Sequence, residues 1–423
     1  MRRGRGLHPL AFVAFVACMP GPARAQGGEL PVEIHGLLEA ATGSRITDDP
    51  LQPDDFVLSE VRFRLDVSHY GDRSDLTFKG DFTADGVTGE VDLDIRQASI
   101  TLQLAEWLDL RAGRQVLTWG TGDFVFLNDL FPKDFVSFFV GREDEFLKAP
   151  SNALRFTAYS GPVNFDLVWT PMFEPDRFIT GERLSFFDPS APGLVSATSM
   201  GQPLQAQLPS RELSNGELAG RLFRNIGGYE LSLYGYLGST KQPLAFDPVA
   251  DIATHSKLNV YGGSVRGSLT GGIANLEGAY YDSDDDDGTN PNIPNSQIKV
   301  LAGYERELVV NVTAGVQYYL EWTQDHDDLI ANASTPQFEP SEFRHTITTR
   351  LTHRLRQETL TVSLFGFFSP NDKDAHLRPS FSYKWSDAVT IAAGANVMLG
   401  EDATFFGQLE TNSNAYLRIR YSY

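Results

Sequence analysis

Apolar and polar residues alternate along most of this chain, one after the other. In "SEVRFRLDVSHY" (residues 59–70) apolar side chains occupy one phase, while Arg62, Arg64 and Asp66 occupy the other. The last ten residues, "NAYLRIRYSY", repeat the pattern and end on Tyr423. Because successive side chains of a β-strand point to opposite faces, this alternation predicts strands with one apolar face and one wet face.

The same alternation divides the chain after residue 31 into about 18 segments of roughly ten residues, joined in turn by tight turns and long loops. After the N-terminal region no apolar run reaches the length of roughly 18 residues that a membrane helix needs. Backbone groups in lipid must all be paired, so a membrane chain without such helices must close into a barrel. We therefore predict an all-β fold: a transmembrane antiparallel β-barrel of about 18 strands (between about 16 and 18), with long outer loops and short periplasmic turns. A soluble all-β sandwich is the alternative, but it does not explain an apolar phase on nearly every strand.

The N-terminus has the layout of an export signal. Arg2, Arg3 and Arg5 precede the apolar run "LAFVAFVAC", and Ala23-Arg24-Ala25 offers small residues at a cleavage site. This pattern predicts a secretory signal peptide over residues 1–25 and a single barrel domain over residues 26–423. A lipoprotein signal ending at Cys18, the single cysteine of the sequence, is the alternative reading. With an even strand number, both termini lie on the periplasmic side of a bacterial outer membrane.

Composition adds two constraints. The formal net charge is −20, and the predicted leader holds basic but no acidic residues, so the processed chain is more acidic still. Nucleic acid is therefore not expected as a partner. Aromatic residues make up 12% of the chain. The tryptophans fall near predicted strand ends, where the two interfacial girdles of a barrel belong: Trp107, Trp119, Trp169, Trp322 and Trp385.

Charged residues in the inward phases of the strands predict the lining of the lumen. The predicted pore-lining residues are Arg62, Arg64, Asp66, Asp81, Asp92, Asp94, Arg155, Arg221, Arg350, Arg354, Arg418 and Arg420. The last strand must pair with the first, which places the arginines of strands 18 and 2 on one arc and the aspartates of strands 3 and 4 on the next. Such an arrangement creates a transverse field, and the planar guanidinium suits carboxylate or phosphate. In the alternative interpretation these charges pair with one another and only neutralise the lumen.

The connection over residues 121–151 is too apolar for a solvated loop. It holds seven phenylalanines that need cover, and a long loop that orders itself is usually functional. We predict that it folds into the barrel and narrows it, with charged side chains lining the gap: Asp129, Lys133, Asp134, Arg142, Glu143 and Asp144. It could instead bind an apolar substrate or lipid, or serve purely as a plug.

Other chemistry is weakly indicated. Acidic runs at residues 282–288 and 325–328 could hold Ca²⁺, but they lack the spacing of a dedicated calcium loop, so solvated acidic tips are expected. The sequence shows no phosphate loop, no zinc spacing and no nucleophile elbow. The histidines are scattered, without a specific Ser or Asp arrangement. We expect no metal, no cofactor and no catalytic residues.

Two stretches resemble known proteins. "LRAGRQVLTWGTGDFVFLNDLFPKDF" (residues 110–135) looks like a segment of an uncharacterised family of proteobacterial outer-membrane barrels, through the Gly113, Gln115, Val116, Trp119 and Gly120 pattern. More loosely, the layout resembles the 18-stranded alginate export channel. These resemblances imply passage of a lipidic substrate or of a polysaccharide. Residues 415–423 resemble the C-terminal signal that the barrel-assembly machinery of Gram-negative bacteria reads.

The sequence therefore favours a porin-like outer-membrane channel for a polar, anionic or amphiphilic solute, surrounded by outer-membrane lipid and lipopolysaccharide. An export barrel for lipid or polysaccharide that works with a periplasmic partner is one alternative. An outer-membrane enzyme, such as a lipase or protease barrel, and a structural or adhesin-like barrel are alternatives of other classes.

Overall fold

One closed sheet makes up most of the molecule. The computed structural model describes residues 32–189, 192–285 and 287–423, so the predicted signal peptide lies outside the described residues. Within these ranges eighteen long strands pair with their neighbours in sequence, all antiparallel, and the last strand pairs with the first. The prediction of an antiparallel β-barrel of about 18 strands is confirmed.

The barrel strands, in chain order, are β1 Glu33–Arg45, β2 Phe56–Tyr70, β3 Ser74–Asp85, β4 Val91–Ala105, β5 Leu108–Val116, β6 Pro150–Tyr159, β7 Asn164–Thr170, β8 Glu217–Ile226, β9 Tyr229–Ser239, β10 Lys257–Leu269, β11 Gly272–Ser283, β12 Gln297–Val309, β13 Val312–Thr323, β14 Phe343–Leu355, β15 Leu360–Ser369, β16 Asp374–Lys384, β17 Val389–Leu399 and β18 Asn414–Ser422. The loops carry the helices α1 Phe135–Val140, α2 Ala197–Met200 and α3 His326–Asn332. They also carry the short strands Phe186–Asp188, Gly193–Val195, Ala206–Gln207, Ala245–Asp247 and Ile252–Thr254, and the 3₁₀ turns Asp144–Leu147, Leu213–Asn215, Pro336–Phe338 and Gly407–Asn412.

Connections alternate between the two ends of the barrel. The end where β1 begins and β18 ends has tight turns; at one of them Thr270 and Gly271 have φ of 45° and 81°, as a two-residue hairpin turn requires. The opposite end carries the long loops, of which residues 117–149 and 171–216 are the longest. By the orientation of outer-membrane barrels the turn end is periplasmic.

The two faces of the sheet are reversed relative to a water-soluble protein. On β2 the outward Phe63 is 43% exposed, whereas the inward Arg62 and Arg64 are each 5% exposed. An apolar outer surface around a polar interior is stable only where lipid surrounds the barrel. Among the helices of the described ranges, none is long and apolar enough to cross a membrane.

The aromatic C-terminus closes this surface. The backbone of Tyr423 exchanges two hydrogen bonds with that of Gly36, with N···O distances of 3.1 and 3.0 Å. Its ring stacks on Phe63, with ring centroids 6.4 Å apart. The terminal aromatic residue therefore seals the seam between β18, β1 and β2 on the lipid side.

The predicted position near a strand end is correct for four tryptophans, and the girdle assignment is wrong for Trp119. Trp107, Trp169, Trp322 and Trp385 lie at strand ends. Trp119 instead lies beyond the end of β5, inside the barrel, where its ring centroid is 5.0 Å from that of Phe131. The error arises because β5 ends at Val116 and the chain then turns inward.

A bulge interrupts β4. Lys79 of β3 pairs with Gln97, and the next residue, Gly80, pairs with Ile95, so Arg96 has no partner across the strands. The sequence pattern slips at the same place. A bulge re-aims the side chains beside it, and here it adds the buried guanidinium of Arg96 to the inward face.

Candidate functional site

The loop of residues 117–149, called the inserted loop below, lies inside the barrel. It carries helix α1, which Asp134 caps by accepting a hydrogen bond from Ser137 N at 2.7 Å. Gly141 ends the helix with φ of 86°, and a Cβ there would collide with the ring of Tyr416. Glycine is therefore required both for the backbone conformation and for the close approach to β18.

Aromatic packing holds one side of the inserted loop. The ring of Phe124 meets Phe365 of β15 edge-on at 5.0 Å, and Phe138 lies 5.5 Å from His376 of β16. Phe138 and Phe139 are 6% and 3% exposed. The phenylalanines of this loop are therefore covered by the barrel itself, and they belong to a buried apolar cluster inside the lumen.

Hydrogen bonds to Glu277 hold the opposite side. This β11 carboxylate is 1% exposed. It accepts from the backbone N and Oγ1 of Thr121 at 2.7 and 2.8 Å, and from the backbone N and Nδ2 of Asn128 at 3.1 and 2.9 Å. Gly262 on β10 leaves the room that Asn128 occupies, since a Cβ at Gly262 would overlap Asn128 Oδ1. A single buried carboxylate thus fixes both ends of the segment between residues 121 and 128.

The residues of the Gly113 to Gly120 pattern act where the inserted loop leaves β5. Gly113 has φ of 115°, and Gly120 has φ of 82° beside the carboxylate of Glu277. Gln115 is fully buried and donates from Nε2 to the backbone oxygen of Ala153 at 3.0 Å. These residues direct the chain from the barrel wall into the lumen.

Three guanidinium groups surround one phenylalanine of the inserted loop. The ring centroid of Phe146 is 3.9 Å from Cζ of Arg62, 5.2 Å from that of Arg64 and 4.8 Å from that of Arg96. Cations near an aromatic face are attracted by its quadrupole. Arg64 also binds Asp81 through two nitrogens, at 2.6 and 2.7 Å, and Glu145 at 2.6 Å.

The six charged residues predicted to line the gap all form ion pairs. Asp129 binds Lys133 at 2.9 Å, and Asp134 binds Arg177 at 3.2 Å. The other three contacts reach the barrel wall: Arg142 to Glu60, Glu143 to Arg420 and Asp144 to Arg378, the last at 2.9 Å. The inserted loop is therefore clamped to β2, β16 and β18.

Most of the predicted pore-lining residues are paired as well. The pairs and their N···O distances are Asp66 with Lys79 (2.9 Å), Arg155 with Asp166 (2.8 Å), Arg221 with Glu230 (2.6 Å), Arg350 with Asp123 (2.8 Å), Asp94 with Arg177 (2.9 Å), Arg62 with Glu60 (2.9 Å) and Arg420 with Glu39 (2.6 Å). Asp92 and Arg354 are exposed. Arg418 lies over the ring of Tyr416, 5.5 Å from its centroid, without a carboxylate in ion-pair contact among the described residues.

This pairing changes the predicted electrostatics. Glu39 and Glu60 lie among the arginines of the supposedly positive arc, and Arg64 bridges directly to Asp81. The two arcs therefore neutralise each other instead of facing each other as separate charges. These contacts correspond to the alternative interpretation, in which the charges of the lumen pair with one another.

A second long loop supports the inserted loop from the outside. Asp176, in the loop of residues 171–216, accepts hydrogen bonds from Lys133 N at 2.6 Å and from Gln242 Nε2 at 2.7 Å. Burial raises the pKa of the Asp176 carboxyl above its usual range. Arg183 of the same loop reaches the wall through Asp85 and the backbone oxygen of Val57.

A polar cavity of about 370 Å³ remains between the inserted loop and strands β10 to β15. Its position is toward the periplasmic end, since Arg266, Glu305 and Gly315 all lie near tight turns. The charged residues that line it are Asp123, Asp129, Lys148, Arg266, Glu305 and Arg350. Lys148 and Arg266 have no carboxylate in ion-pair contact within the described part of the chain, and Glu305 has no cation there. The described residues contain no cluster of His, Cys, Asp and Glu able to hold a metal ion.

Several residues of this site were not found from the sequence: Glu39, Asp123, Glu145, Glu277 and Arg378. Glu39 and Glu277 do lie in the inward phase of their strands, and that signal could have found them. Asp123 and Glu145 lie in the irregular loop, where no periodicity assigns a direction.

Comparison with solved structures gives the fold of bacterial outer-membrane barrels. The alignment with OccAB1 of Acinetobacter baumannii covers 94% of this chain and 97% of OccAB1, at 9% sequence identity and a TM-score of 0.56. The alignment with OccAB4 of the same organism covers 93% of this chain and 98% of OccAB4, at 10% sequence identity and a TM-score of 0.54. The alignment with OccK9 (OpdG) of Pseudomonas aeruginosa covers 93% of this chain and 97% of OccK9, at 10% sequence identity and a TM-score of 0.53. No family model and no curated protein matches the sequence.

The likeness extends over nearly the whole barrel. With the apolar outer surface, it establishes the fold of the porin-like outer-membrane β-barrels. The local resemblance of residues 110–135 to one barrel family stays a prediction.

Proposed function

We propose that the chain is an outer-membrane channel. A small polar solute, anionic or amphiphilic, crosses the barrel through a lumen that the inserted loop narrows. The observation that carries this proposal is the polar cavity of about 370 Å³ between the loop and strands β10 to β15. Its volume falls in the range of roughly 300 to 1,000 Å³ that small-molecule sites occupy.

The charges around the cavity support the preference for anions. Asp123 is neutralised by Arg350, and Asp129 by Lys133. Among the described lining residues this leaves the cations Lys148 and Arg266, against one carboxylate, Glu305, without an ionic partner. A constriction with excess positive charge attracts anions and repels cations. A solute with a carboxylate and an apolar part would also find Phe126 and Phe365 on the cavity surface.

Ion selectivity in a planar bilayer tests this proposal. The purified, folded barrel is inserted between chambers with unequal KCl, and the reversal potential gives the ratio of chloride to potassium permeability. We expect anion selectivity in the wild type and a clear loss of it in the double variant Lys148→Gln/Arg266→Gln. Arg354→Gln is the matched control, because this exposed arginine lies on the same inward face but does not line the cavity.

A folded wild-type protein that never conducts would contradict the channel itself. Equal selectivity in the wild type and the double variant would contradict the role of the cavity but not the channel.

We also propose that β18 is the segment the assembly machinery recognises. Its outward residues Leu417 and Ile419 are each 43% exposed, and the aromatic Tyr423 directly follows the strand. Removal of Tyr423 should lower the amount of folded barrel in the membrane without changing the conductance of the barrels that do assemble.

A further inference from the structure

The lipid-facing surface of the barrel contains an open apolar groove. It crosses the outward faces of β8 to β12 and encloses about 720 Å³. Paired residues form a continuous row across it: Leu222 opposes Leu233, which opposes Gly263, which opposes Gly278, which opposes Val300. Two adjacent glycines thus form the floor, and branched aliphatic side chains form both walls. Leu233 is 65% exposed on the rim.

The protein interior does not require glycine at position 278, whereas a Cβ on Gly263 would lie 3.3 Å from Ser232 O and 3.4 Å from Leu233 Cδ2. A Cβ built on Gly278 would meet no atom closer than Lys299 O, at 3.9 Å, and Gly278 does not have a positive φ. On the neighbouring row of the same face, Gly235 has open space around such a Cβ. Glycine weakens a strand interior and often marks a place where another molecule approaches closely. The open space over Gly278 and Gly235 is therefore available to a molecule outside the barrel.

The charges beside the groove have one sign. Arg224 points outward on β8, opposite Leu231 of the groove wall, and Arg306 points outward near the same end of β12. Both arginines are exposed, and neither has a carboxylate in ion-pair contact within the described residues. Glu230 and Glu305, the nearby acidic side chains, belong to the inward phase. The periplasmic edge of the groove thus presents positive charge alone to the membrane.

We propose that this groove binds a phospholipid of the periplasmic leaflet. One acyl chain lies over Gly263 and Gly278 between the aliphatic walls, and the phosphate accepts hydrogen bonds from the guanidinium of Arg224. Arg306 adds positive charge at the same height. Arginine forms strong, directional hydrogen bonds with phosphate oxygens, and its long stem reaches the headgroup zone from the edge of the hydrocarbon.

A second copy of the chain fits this surface less well. A two-fold axis along the membrane normal would bring the same patch of both copies together at one height. Two concave floors would then face each other across an unfilled space, and the unpaired Arg224 of each copy would approach its equivalent. Neither problem arises with a flexible chain that carries its own negative charge.

Native mass spectrometry of the full barrel in mild detergent tests the proposal. Dioleoyl phosphatidylglycerol is titrated against the wild type, Gly278→Leu and Arg224→Gln, with dioleoylglycerol as the ligand that lacks phosphate. We expect Gly278→Leu to weaken the binding of both lipids at least tenfold, because leucine fills the floor. Arg224→Gln should weaken phosphatidylglycerol several-fold and leave dioleoylglycerol unchanged.

Two controls separate the groove from the general surface. Ala393→Leu places the same side chain on the outward face of β17, and Arg354→Gln removes a cation from the inward face of β14. Both should bind as the wild type does, and resistance of each barrel to unfolding in cold detergent verifies its fold. The proposal is overturned if Gly278→Leu binds both lipids like the wild type, or if the controls lose as much affinity. A lipid-free dimer that Gly278→Leu dissociates would also overturn it, in favour of a second copy.

Discussion

Replacing Glu277 by alanine should release the inserted loop from the β11 side of the barrel. The carboxylate accepts four hydrogen bonds from Thr121 and Asn128, at 2.7 to 3.1 Å. Asn128 is 3% exposed, so its two donors lose their partner without gaining bulk water. A hydrogen bond to a charged group contributes about 1.5 to 3 kcal/mol, and an unsatisfied buried donor costs a similar amount.

Counting only the two donors of Asn128 gives about 3 kcal/mol for the loss of anchoring, at the low end of that range. The donors of Thr121 lie beside the polar cavity, where water can replace the carboxylate. A change of about 3 kcal/mol shifts the equilibrium between anchored and released loop by about two orders of magnitude. The barrel itself should stay folded, because strand pairing on both sides of β11 is unchanged.

Two measurements check this expectation. Limited proteolysis should cut within residues 117–149 much faster in Glu277→Ala, and single-channel conductance should become larger and noisier. Glu305→Ala is the matched control, since it removes the same charge from the same lumen but no hydrogen bond to the loop. If Glu277→Ala folds and protects the loop as well as the wild type does, the anchoring argument is wrong.

Three further outcomes follow from the contacts of the inserted loop. Arg64→Ala leaves Asp81 buried and without its bidentate partner, so urea unfolding should show a loss of about 3 to 5 kcal/mol; an unchanged midpoint would contradict this. Gly141→Ala places a side chain at φ of 86° and against Tyr416, so loop protection from protease should fall while the barrel remains assembled; normal protection would show that β18 yields. Since burial raises the pKa of Asp176 in the folded chain, its contribution to stability falls as pH rises above the ordinary pKa of an aspartate and through the raised one, so the wild type should lose stability relative to Asp176→Asn over that rise; parallel pH profiles of the two proteins would refute this.

The barrel was predictable because the alternation within each strand shows which side chains face the lumen and which face the lipid. A register slip of one residue would turn Arg62 and Arg64 into lipid and Phe63 into the lumen, so the alternation fixes both the strand and its two faces. The same rule predicts contacts between neighbours. Arg64 and Asp81 are directly opposed in the pairing of β2 with β3, and they do form an ion pair.

The inserted loop was predictable only in outline. Seven phenylalanines required cover, which pointed to the lumen, but local periodicity could not select which wall residues meet them. Thr121 and Glu277 are 156 residues apart, and their contact depends on where the loop crosses the closed barrel. Trp119 was misplaced for the same reason. Its assignment to a girdle rested on proximity to a strand end, and local sequence could not show that the chain turns into the lumen there.

In the proposed channel, the position of the inserted loop also determines where a solute can pass. Toward β15 to β18 the loop is packed through Phe124, Phe138 and Phe139, with little space left between rings and wall. Toward β2 it is clamped by ion pairs of Arg64 and Arg142. Toward β10 to β13 its contacts consist mainly of hydrogen bonds, and the polar cavity opens there, bounded on β14 by the ion pair of Asp123 with Arg350. Since an aromatic cluster excludes water and an ion pair resists separation, the proposed path for a polar solute follows β10 to β13, past Lys148 and Arg266.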